Sequence, residues 1–181
     1  MSSTAGRLLV ANPLLVDPNF SRTVVLMIEH DDDGALGLVL NRPSGTAVGE
    51  IIDQWAPLAA DPDVFFLGGP VSPDSVICLG RISSAVAPGA GRRVVGNIAT
   101  VDLDEDPVVA GFTEVRLFAG YAGWGPGQLD GELGANGWLV VDARPGDALD
   151  PDPATMWRRV ISRQPGSTAW LATFPEDLAV N

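Results

Sequence analysis

The sequence predicts an α+β fold, because short apolar segments with β character outnumber the segments with helical periodicity and two of them form a hairpin. The first hairpin strand is Thr23–Ile28 (TVVLMI), an apolar run typical of a strand that is buried on both faces. The turn sequence Asp31–Gly34 follows, and Ala35–Leu40 returns as the second strand. A chain of 181 residues with 46% hydrophobic content is expected to form a single domain over residues 1–181 and to bury about 70% of its unfolded surface.

Other short β-rich runs bounded by turn residues predict further strands. These strands are Gly6–Ala11, Val64–Leu67, Ser75–Leu79, Asn97–Val101, Glu114–Ala119 and Trp138–Val141. The glycine-rich stretch Gly120–Gly127 is expected to break the strand that begins at Glu114. Pro88–Arg93 has a linker-like composition, but it is too short to separate domains.

Three helices are predicted outside the glycine-rich stretch. Thr46 is expected to cap a helix that continues to about Trp55, and Asp106–Gly111 is expected to form a short helix. Thr155–Gln164 has apolar residues on one face and carries Arg158, Arg159 and Arg163 off that face, where they are expected to pair with nearby acids. The tail from Ser167 is expected to pack back on the body.

A fourth helix is predicted directly after Gly125-Pro126. Gly125 is its expected cap, with the Gln128 side chain reaching back to the cap backbone. Leu129 and Leu133 lie four residues apart and share the predicted buried face, so the side chains of Asp130 and Glu132 are expected to point outward. Gly134 or Asn136 is expected to end the helix in a left-handed conformation.

The composition limits the partners and the compartment. The chain has 23 acidic and 11 basic residues, and its formal net charge of −12 opposes direct binding to nucleic acids and to anionic membranes. Cys78 is the single cysteine, so no intramolecular disulfide can form, and we expect a cytoplasmic location. The N-terminus does not resemble a signal peptide, and no apolar run is long enough to cross a membrane.

Three segments carry a resemblance to a known family. They are LLVANPLLVDPNFSRTVVLMIEHDDDGALGLVLNRP at Leu8–Pro43, FLGGPV at Phe66–Val71 and GYAGWGPGQLDGELGANGW at Gly120–Trp138. With these segments the chain resembles the YqgE/AlgH family of small bacterial proteins. The resemblance implies one α+β domain with a mixed, bifurcated sheet and a small barrel-like portion, surrounded by short helices. It implies no established biochemical activity, although one member carries a name from the regulation of alginate synthesis.

Glu29 and His30 are the candidate catalytic residues. A carboxylate beside the only histidine could transfer protons, because imidazole titrates near neutral pH. The structural alternative is a histidine that caps the hairpin by hydrogen bonding, since adjacent side chains of a strand point to opposite faces. A hydrolase-like site between this hairpin and the Tyr121–Glu132 turn is therefore the alternative function.

A glycine-lined turn before the fourth helix provides the main candidate binding site, because backbone N–H groups and aromatic side chains there could hold a ligand. The competing structural interpretation is that the same aromatic residues fill the core. The candidate residues for binding a ligand or a partner are Tyr121, Trp124, Gln128, Glu132, Arg22 and Asn41. We expect a binding or regulatory domain that contacts a protein or a small ligand, and the sequence does not indicate its oligomeric state.

Metals and cofactors are not expected. The acidic turn after Glu29 has only a superficial likeness to a calcium loop, because Leu40 stands where a bidentate glutamate belongs. One histidine and one cysteine cannot supply a typical zinc site. Cys78 lies in the apolar segment SVICL, where it is expected to behave as a small buried hydrophobic residue rather than as a nucleophile.

Overall fold

The structure, a computed structural model, describes residues 3–83 and 91–176, so the predicted linker lies outside the described residues up to Ala90. The strands are β1 (Arg7–Ala11), β2 (Val24–Asp31), β3 (Gly34–Val39), β4 (Pro43–Ala47), β5 (Val64–Leu67), β6 (Val71–Ile82), β7 (Arg93–Val95), β8 (Ile98–Thr100), β9 (Phe112–Trp124) and β10 (Trp138–Asp142). The α-helices are α1 (Val48–Ile51), α2 (Gln128–Gly134) and α3 (Met156–Ser162). Short 3₁₀ helices span Asp53–Leu58, Pro145–Leu149 and Gly166–Thr173.

The described strands form a curled sheet with ten strands, in which β10, β1, β2, β3, β9, β6, β8 and β7 follow one another in space. The β4–β5 pair branches from this order, because β5 pairs with β9. That contact is parallel, whereas the other strand pairs are antiparallel. The α+β class and the mixed, bifurcated sheet with short helices are thereby confirmed.

The sheet branches at β9. From Phe112 to Tyr121 this strand pairs with β6, and its other edge pairs first with β5 and then, from Ala122 to Trp124, with β3. The predicted break at Gly120 is therefore wrong, since the strand continues to Trp124. Gly120 has a φ of 70°, a conformation that glycine adopts without a steric penalty, and the strand changes partner around it.

The two glycines that follow β5 allow close approach to β9. A Cβ atom on Gly69 would lie 2.2 Å from the carbonyl carbon of Tyr121, and one on Gly68 would lie 2.3 Å from the oxygen of Gly120. Such distances are too short for any side chain, so the Gly-Gly sequence of the second family segment is required by this backbone contact. The close approach is between two parts of this chain.

Apolar side chains on both faces of the sheet form the core. Alternate residues of β2 enter different clusters: Val24, Leu26 and Ile28 pack on one face, and Val25 and Met27 pack on the other. The prediction that this strand is buried on both faces is confirmed.

The helix predictions had mixed outcomes. Thr46 is not a helix cap, because it lies in β4; α1 is only one turn long, and a 3₁₀ helix follows it. The segment predicted as a helix at Asp106–Gly111 forms turns. Helix α3 is confirmed within two residues of each predicted end. In the tail Ala172 is buried, but Trp170 is 77% exposed.

Candidate functional site

The carboxylate of Glu132 is the centre of a hydrogen-bonded group around α2. Its Oε2 atom accepts a hydrogen bond from the indole of Trp124 at 3.0 Å and another from the indole of Trp138 at 2.8 Å. The amide of Gln128 donates to its Oε1 atom at 3.3 Å. The prediction that Glu132 points outward is wrong, because two indole N–H groups from the flanking strands converge on its side chain.

The chain brings these residues together by turning sharply twice. Trp124 ends β9, α2 follows after Gly127 with a φ of 69°, and Trp138 begins β10. Gln128 Oε1 accepts a hydrogen bond from the Gly125 N–H at 3.0 Å, so the predicted return of this side chain to the backbone is confirmed. The helix itself begins at Gln128, later than predicted.

Asn136 lies just after the end of α2. Its φ of 59° is left-handed, as predicted for one of the two proposed termini. Leu129 is buried, and Leu133 packs against the same apolar cluster, so the predicted inner face of α2 is also confirmed.

The aromatic cleft lies beside this group and has a volume of about 520 Å³. The rings of Trp124 and Trp138 meet edge to face, with centroids 6.1 Å apart, and Phe20 packs against both of them. Leu14, which also lines the aromatic cleft, is 65% exposed. The residues that line the aromatic cleft are Asn12, Leu14, Leu15, Asp17, Phe20, Gly123, Trp124, Gln128, Glu132, Ala135, Asn136, Gly137 and Trp138.

Tyr121 does not line the aromatic cleft, although the sequence grouped it with Trp124. It lines a second cavity, of about 610 Å³, together with Glu29, Asp31 and Asp33. Trp124 contributes to both cavities, so the two share a wall. The strand explains this separation, because Tyr121 and Trp124 lie three positions apart on β9 and therefore point to opposite faces.

Glu29 and His30 also point to different surroundings. Glu29 forms an ion pair with Arg92. The ring of His30 has a side-chain exposure of 8%, and its Nδ1 atom accepts a hydrogen bond from the Thr4 N–H at 3.2 Å and lies 3.0 Å from Thr4 Oγ1. His30 thus ties the N-terminal segment to β2, which is a structural role close to the hydrogen-bonding alternative derived from the sequence.

Asp130 faces His30 across the start of α2. Its Oδ1 atom lies 3.8 Å from His30 Nε2 and is buried, without a hydrogen-bond partner among the residues that the structure describes. The expected outward orientation of Asp130 is therefore wrong. The contact does bring the Glu29-His30 hairpin next to the Tyr121–Glu132 turn, but His30 lines neither the aromatic cleft nor the cavity beside Tyr121.

Arg22 and Asn41 meet at another site, where β2 begins. The Asn41 amide donates to the carbonyl of Arg22 at 2.8 Å, and its Oδ1 atom accepts from the Val24 N–H at 3.0 Å. These bonds hold Arg22 at a φ of 59°, which is rare for a residue with a side chain. The Arg22 guanidinium lies 4.1 Å from the ring centroid of Trp157.

The arginine pocket surrounds this guanidinium and has a volume of about 310 Å³. Two further arginines line it, Arg42 from the segment between β3 and β4 and Arg158 from α3. Burial lowers the pKa of Arg22, and the neighbouring charge of Arg158 lowers it further, while Glu176 opposes the change. The residues that line the arginine pocket are Ser21, Arg22, Asn41, Arg42, Pro153, Ala154, Trp157, Arg158 and Glu176.

Arg159 of α3 and Arg163, which directly follows this helix, pair with acids, as expected. Arg159 contacts Asp150 at 2.8 Å, and Arg163 contacts Asp147 at 2.6 Å. Arg158 alone of the three lines the arginine pocket. Sequence reasoning did not place Arg158 beside Arg22, since the residues are more than 130 positions apart and no local pattern connects them.

Cys78 is buried, as expected, and burial raises the pKa of its thiol. Within residues 3–83 and 91–176, no group of three or more His, Cys, Asp and Glu side chains is placed to hold a metal ion. In the same ranges no helix has the length and apolar character needed to cross a membrane.

Comparison with known proteins identifies the family. The family model DUF179, described as AlgH-like, matches residues 8–169. The chain belongs to this AlgH-like family, which confirms the YqgE/AlgH resemblance of the three sequence segments. The UPF0301 protein of Streptomyces coelicolor is 50% identical over 187 residues, covering 100% of this chain and 97% of the relative. The UPF0301 protein of Mycobacterium marinum is 48% identical over 182 residues, covering 98% and 90%.

Two solved structures resemble the fold. The crystal structure of protein DIP2367 from Corynebacterium diphtheriae has a TM-score of 0.87 and 33% identity, over 94% of this chain and 92% of that one. The solution structure of the AlgH protein from Pseudomonas aeruginosa has a TM-score of 0.67 and 32% identity, over 97% of each chain. These relatives define an uncharacterised family, and neither they nor the geometry of His30 support the hydrolase alternative.

Proposed function

We propose that the chain is a non-catalytic binding domain that recognises a partner in the aromatic cleft. The observation that carries this proposal is the triple hydrogen bonding of Glu132, which fixes Trp124 and Trp138 from within the chain. Aromatic walls that are already held in place lose little conformational entropy when a ligand binds. A volume of about 520 Å³ is in the range of ligand cavities.

The lining supports a partner with an apolar group and a positive charge. Its aromatic and aliphatic walls offer contact area, and its charged side chains, Asp17 and Glu132, are both acidic. The net charge of −12 would attract a cationic partner and repel an anionic one. An arginine or lysine side chain on the surface of a partner protein has this chemistry, because its aliphatic stem packs on aromatic rings while its charge faces a carboxylate.

The regulatory role that we propose acts through the contact between the aromatic cleft and a partner protein. The same net charge opposes direct DNA binding, so regulation by contact with another protein is the form that we propose. We place the role in the cytoplasm, where a buried free thiol such as that of Cys78 is stable. Fractionation of cells that produce the tagged protein would test the location.

The experiment is affinity enrichment of the tagged protein from lysate of its own cells, beside two matched variants. Leu14→Ser removes an apolar side chain that lines the aromatic cleft and is 65% exposed. Ile51→Ser is the control, because Ile51 is 63% exposed but does not line the aromatic cleft. Proteins, nucleic acids and small molecules in the eluates would be identified by mass spectrometry. A protein retained by the wild type and by Ile51→Ser but lost from Leu14→Ser is the expected result.

Other outcomes contradict the proposal. Equal recovery from all three proteins would mean that partners bind elsewhere. A salt-dependent gel shift at sub-micromolar concentration would instead indicate direct DNA binding. Thermal unfolding of each variant, measured first, ensures that a lost partner reflects the surface and not the fold.

A further inference from the structure

The arginine pocket concentrates positive charge on an acidic protein. Arg22, Arg42 and Arg158 line it, and among the described lining residues Glu176 is the only acidic one. The whole chain carries a formal net charge of −12. A cluster of this sign is therefore opposite to the average surface, and it shares no lining residue with the aromatic cleft.

Arg22 presents a hydrogen-bond donor that is buried without a partner. Its Nη2 atom donates to the carbonyls of Phe174 and Pro175, but its Nη1 atom has no hydrogen-bond partner among residues 3–83 and 91–176. An unsatisfied donor on a charged group is costly, so such groups in folded proteins call for an explanation. An anion bound in the pocket would offset the unsatisfied positive charge of this guanidinium.

The orientation of Arg22 is fixed on two sides. Asn41 holds the Arg22 backbone in the left-handed conformation, and the guanidinium carbon of Arg22 lies over the Trp157 ring, 4.1 Å from its centroid. A residue held in a sparsely populated conformation by its surroundings is typical of a functional position. The stack on Trp157 also fixes the direction of the guanidinium N–H groups.

Neutral backbone carbonyls hold the other two arginines. Arg42 donates to carbonyls of the preceding connector, and Arg158 donates to the Ala172 carbonyl at 2.7 Å. Carbonyls fix a guanidinium in place without neutralising it. Burial is the main cause that lowers the pKa of Arg42, as for Arg22, while Asp17 partly opposes it.

Glu176 shows how an anion sits at this site. Its Oε1 atom lies 3.3 Å from Arg158 Nη2, and its side chain is 78% exposed. An exposed ion pair of this kind contributes little to stability, so a competing anion can displace it.

We propose that the arginine pocket binds a small molecule through a carboxylate or phosphate group, and that Glu176 occupies the anion position in the free protein. The guanidinium fork matches both groups, because it offers paired N–H donors to two oxygens at once. A volume of about 310 Å³ suits a small metabolite rather than a large cofactor. The two sites differ in the charge that they favour, since the acidic lining of the aromatic cleft suits a cationic group.

The test is calorimetric titration of the full chain with succinate and, separately, with inorganic phosphate. Sodium chloride keeps the ionic strength constant and serves as the blank. We expect saturable binding of at least one of the two anions, and the one that binds identifies the source of the oxygens. Glu176→Gln should raise the association constant at least about threefold, because it removes the internal competitor.

Two variants should weaken binding, and one should not. Arg22→Gln and Arg158→Gln are each expected to lower the association constant about tenfold or more, since each removes a charged hydrogen-bond donor. Arg93→Gln is the matched control, because Arg93 is exposed, donates to Gly96 and does not line the arginine pocket. If Arg22→Gln unfolds, Arg158→Gln still decides the test.

Three results would overturn the proposal. The first is the absence of saturable binding of either anion to both the wild type and Glu176→Gln. The second is equal weakening by Arg158→Gln and Arg93→Gln, which would indicate a general charge effect. The third is an association constant that Glu176→Gln leaves unchanged, since Glu176 would then not compete for the site. Leu14→Ser should leave this binding intact, so failure of the cleft proposal is distinguishable from failure here.

Discussion

The aromatic cleft and the arginine pocket are both concave sites in which a charged side chain accompanies aromatic rings, but they differ in how that charge is satisfied. In the aromatic cleft the Glu132 carboxylate accepts hydrogen bonds from two indoles and an amide of its own chain. In the arginine pocket Arg22 Nη1 has no hydrogen-bond partner within the part of the chain that the structure describes. Loss of Glu132 should therefore cost stability, whereas loss of Arg22 should chiefly cost ligand binding.

Arg116 provides the strongest test of this comparison, because it also contacts an aromatic ring but is buried in the protein interior. Its guanidinium lies 4.1 Å from the Phe66 ring centroid, its exposure is 2%, and burial lowers its pKa to about 10. It donates to the carbonyls of Asp150 and Asp61. Arg116→Ala should destabilise the protein by about 3–5 kcal/mol, because it leaves a cavity and two unpaired carbonyls.

Urea unfolding measures this loss, and Arg93→Ala, at an exposed arginine, is its control. A loss below about 1 kcal/mol would contradict the structural role of Arg116.

Glu132→Ala should have the next largest effect. It leaves the indole N–H groups of Trp124 and Trp138 without an acceptor, and we expect a loss of about 2–4 kcal/mol in the free energy of unfolding. Glu132→Gln keeps one amide oxygen and should lose about half as much. The exposed Glu50→Ala is the control, with a change within about 0.5 kcal/mol. If Glu132→Ala were equally neutral, the cleft walls would not depend on the carboxylate.

Asn41→Ala tests the support of the arginine pocket. The change removes the partners of the Arg22 carbonyl and of the Val24 N–H, so a loss of about 1–3 kcal/mol is expected. Chemical denaturation of this variant beside Asn19→Ala, at an exposed asparagine, isolates the contribution of the side chain. Equal stability of the two variants would show that Asn41 does not fix the backbone of Arg22.

Arg22→Gly should have the smallest effect. It removes the stack on Trp157, worth about 0.5–1 kcal/mol, but it relieves the left-handed backbone and an unpartnered buried donor. Stability within about 1 kcal/mol of the wild type is expected, with Arg22→Ala about 1 kcal/mol less stable than Arg22→Gly. Thermal unfolding of the two variants measures the difference, and a loss above about 3 kcal/mol in Arg22→Gly would assign Arg22 to the fold.

Local sequence patterns predicted the secondary structure correctly where a single interaction, such as burial of apolar side chains, determines it. The apolar run Thr23–Ile28 can satisfy its side chains only inside a sheet, and it is buried as predicted. The glycines from Gly120 onward suggested a break, but β9 continues because β3 offers a further partner there. Asp106–Gly111 forms turns instead of the predicted helix, because a segment this short does not form a stable helix on its own pattern alone.

The candidate site was predictable only in part, because its contacts join distant segments. The helix after Pro126 and its inner face followed from the spacing of Leu129 and Leu133. The inward position of Glu132 did not, since it depends on the return of Trp138 in the next strand. Arg22 and Trp157 are 135 positions apart, and no sequence pattern in either segment predicts that their side chains are in contact.

The branching of the sheet at β9 also affects the order in which the chain can fold during synthesis. Strands β5 and β6 each have β9 as a partner, and β3 takes β9 as its second neighbour. Until residue 124 has left the ribosome, the apolar edges of these three strands have no partner there. The central sheet can therefore close only after β9 has emerged, so its pairings form late in synthesis.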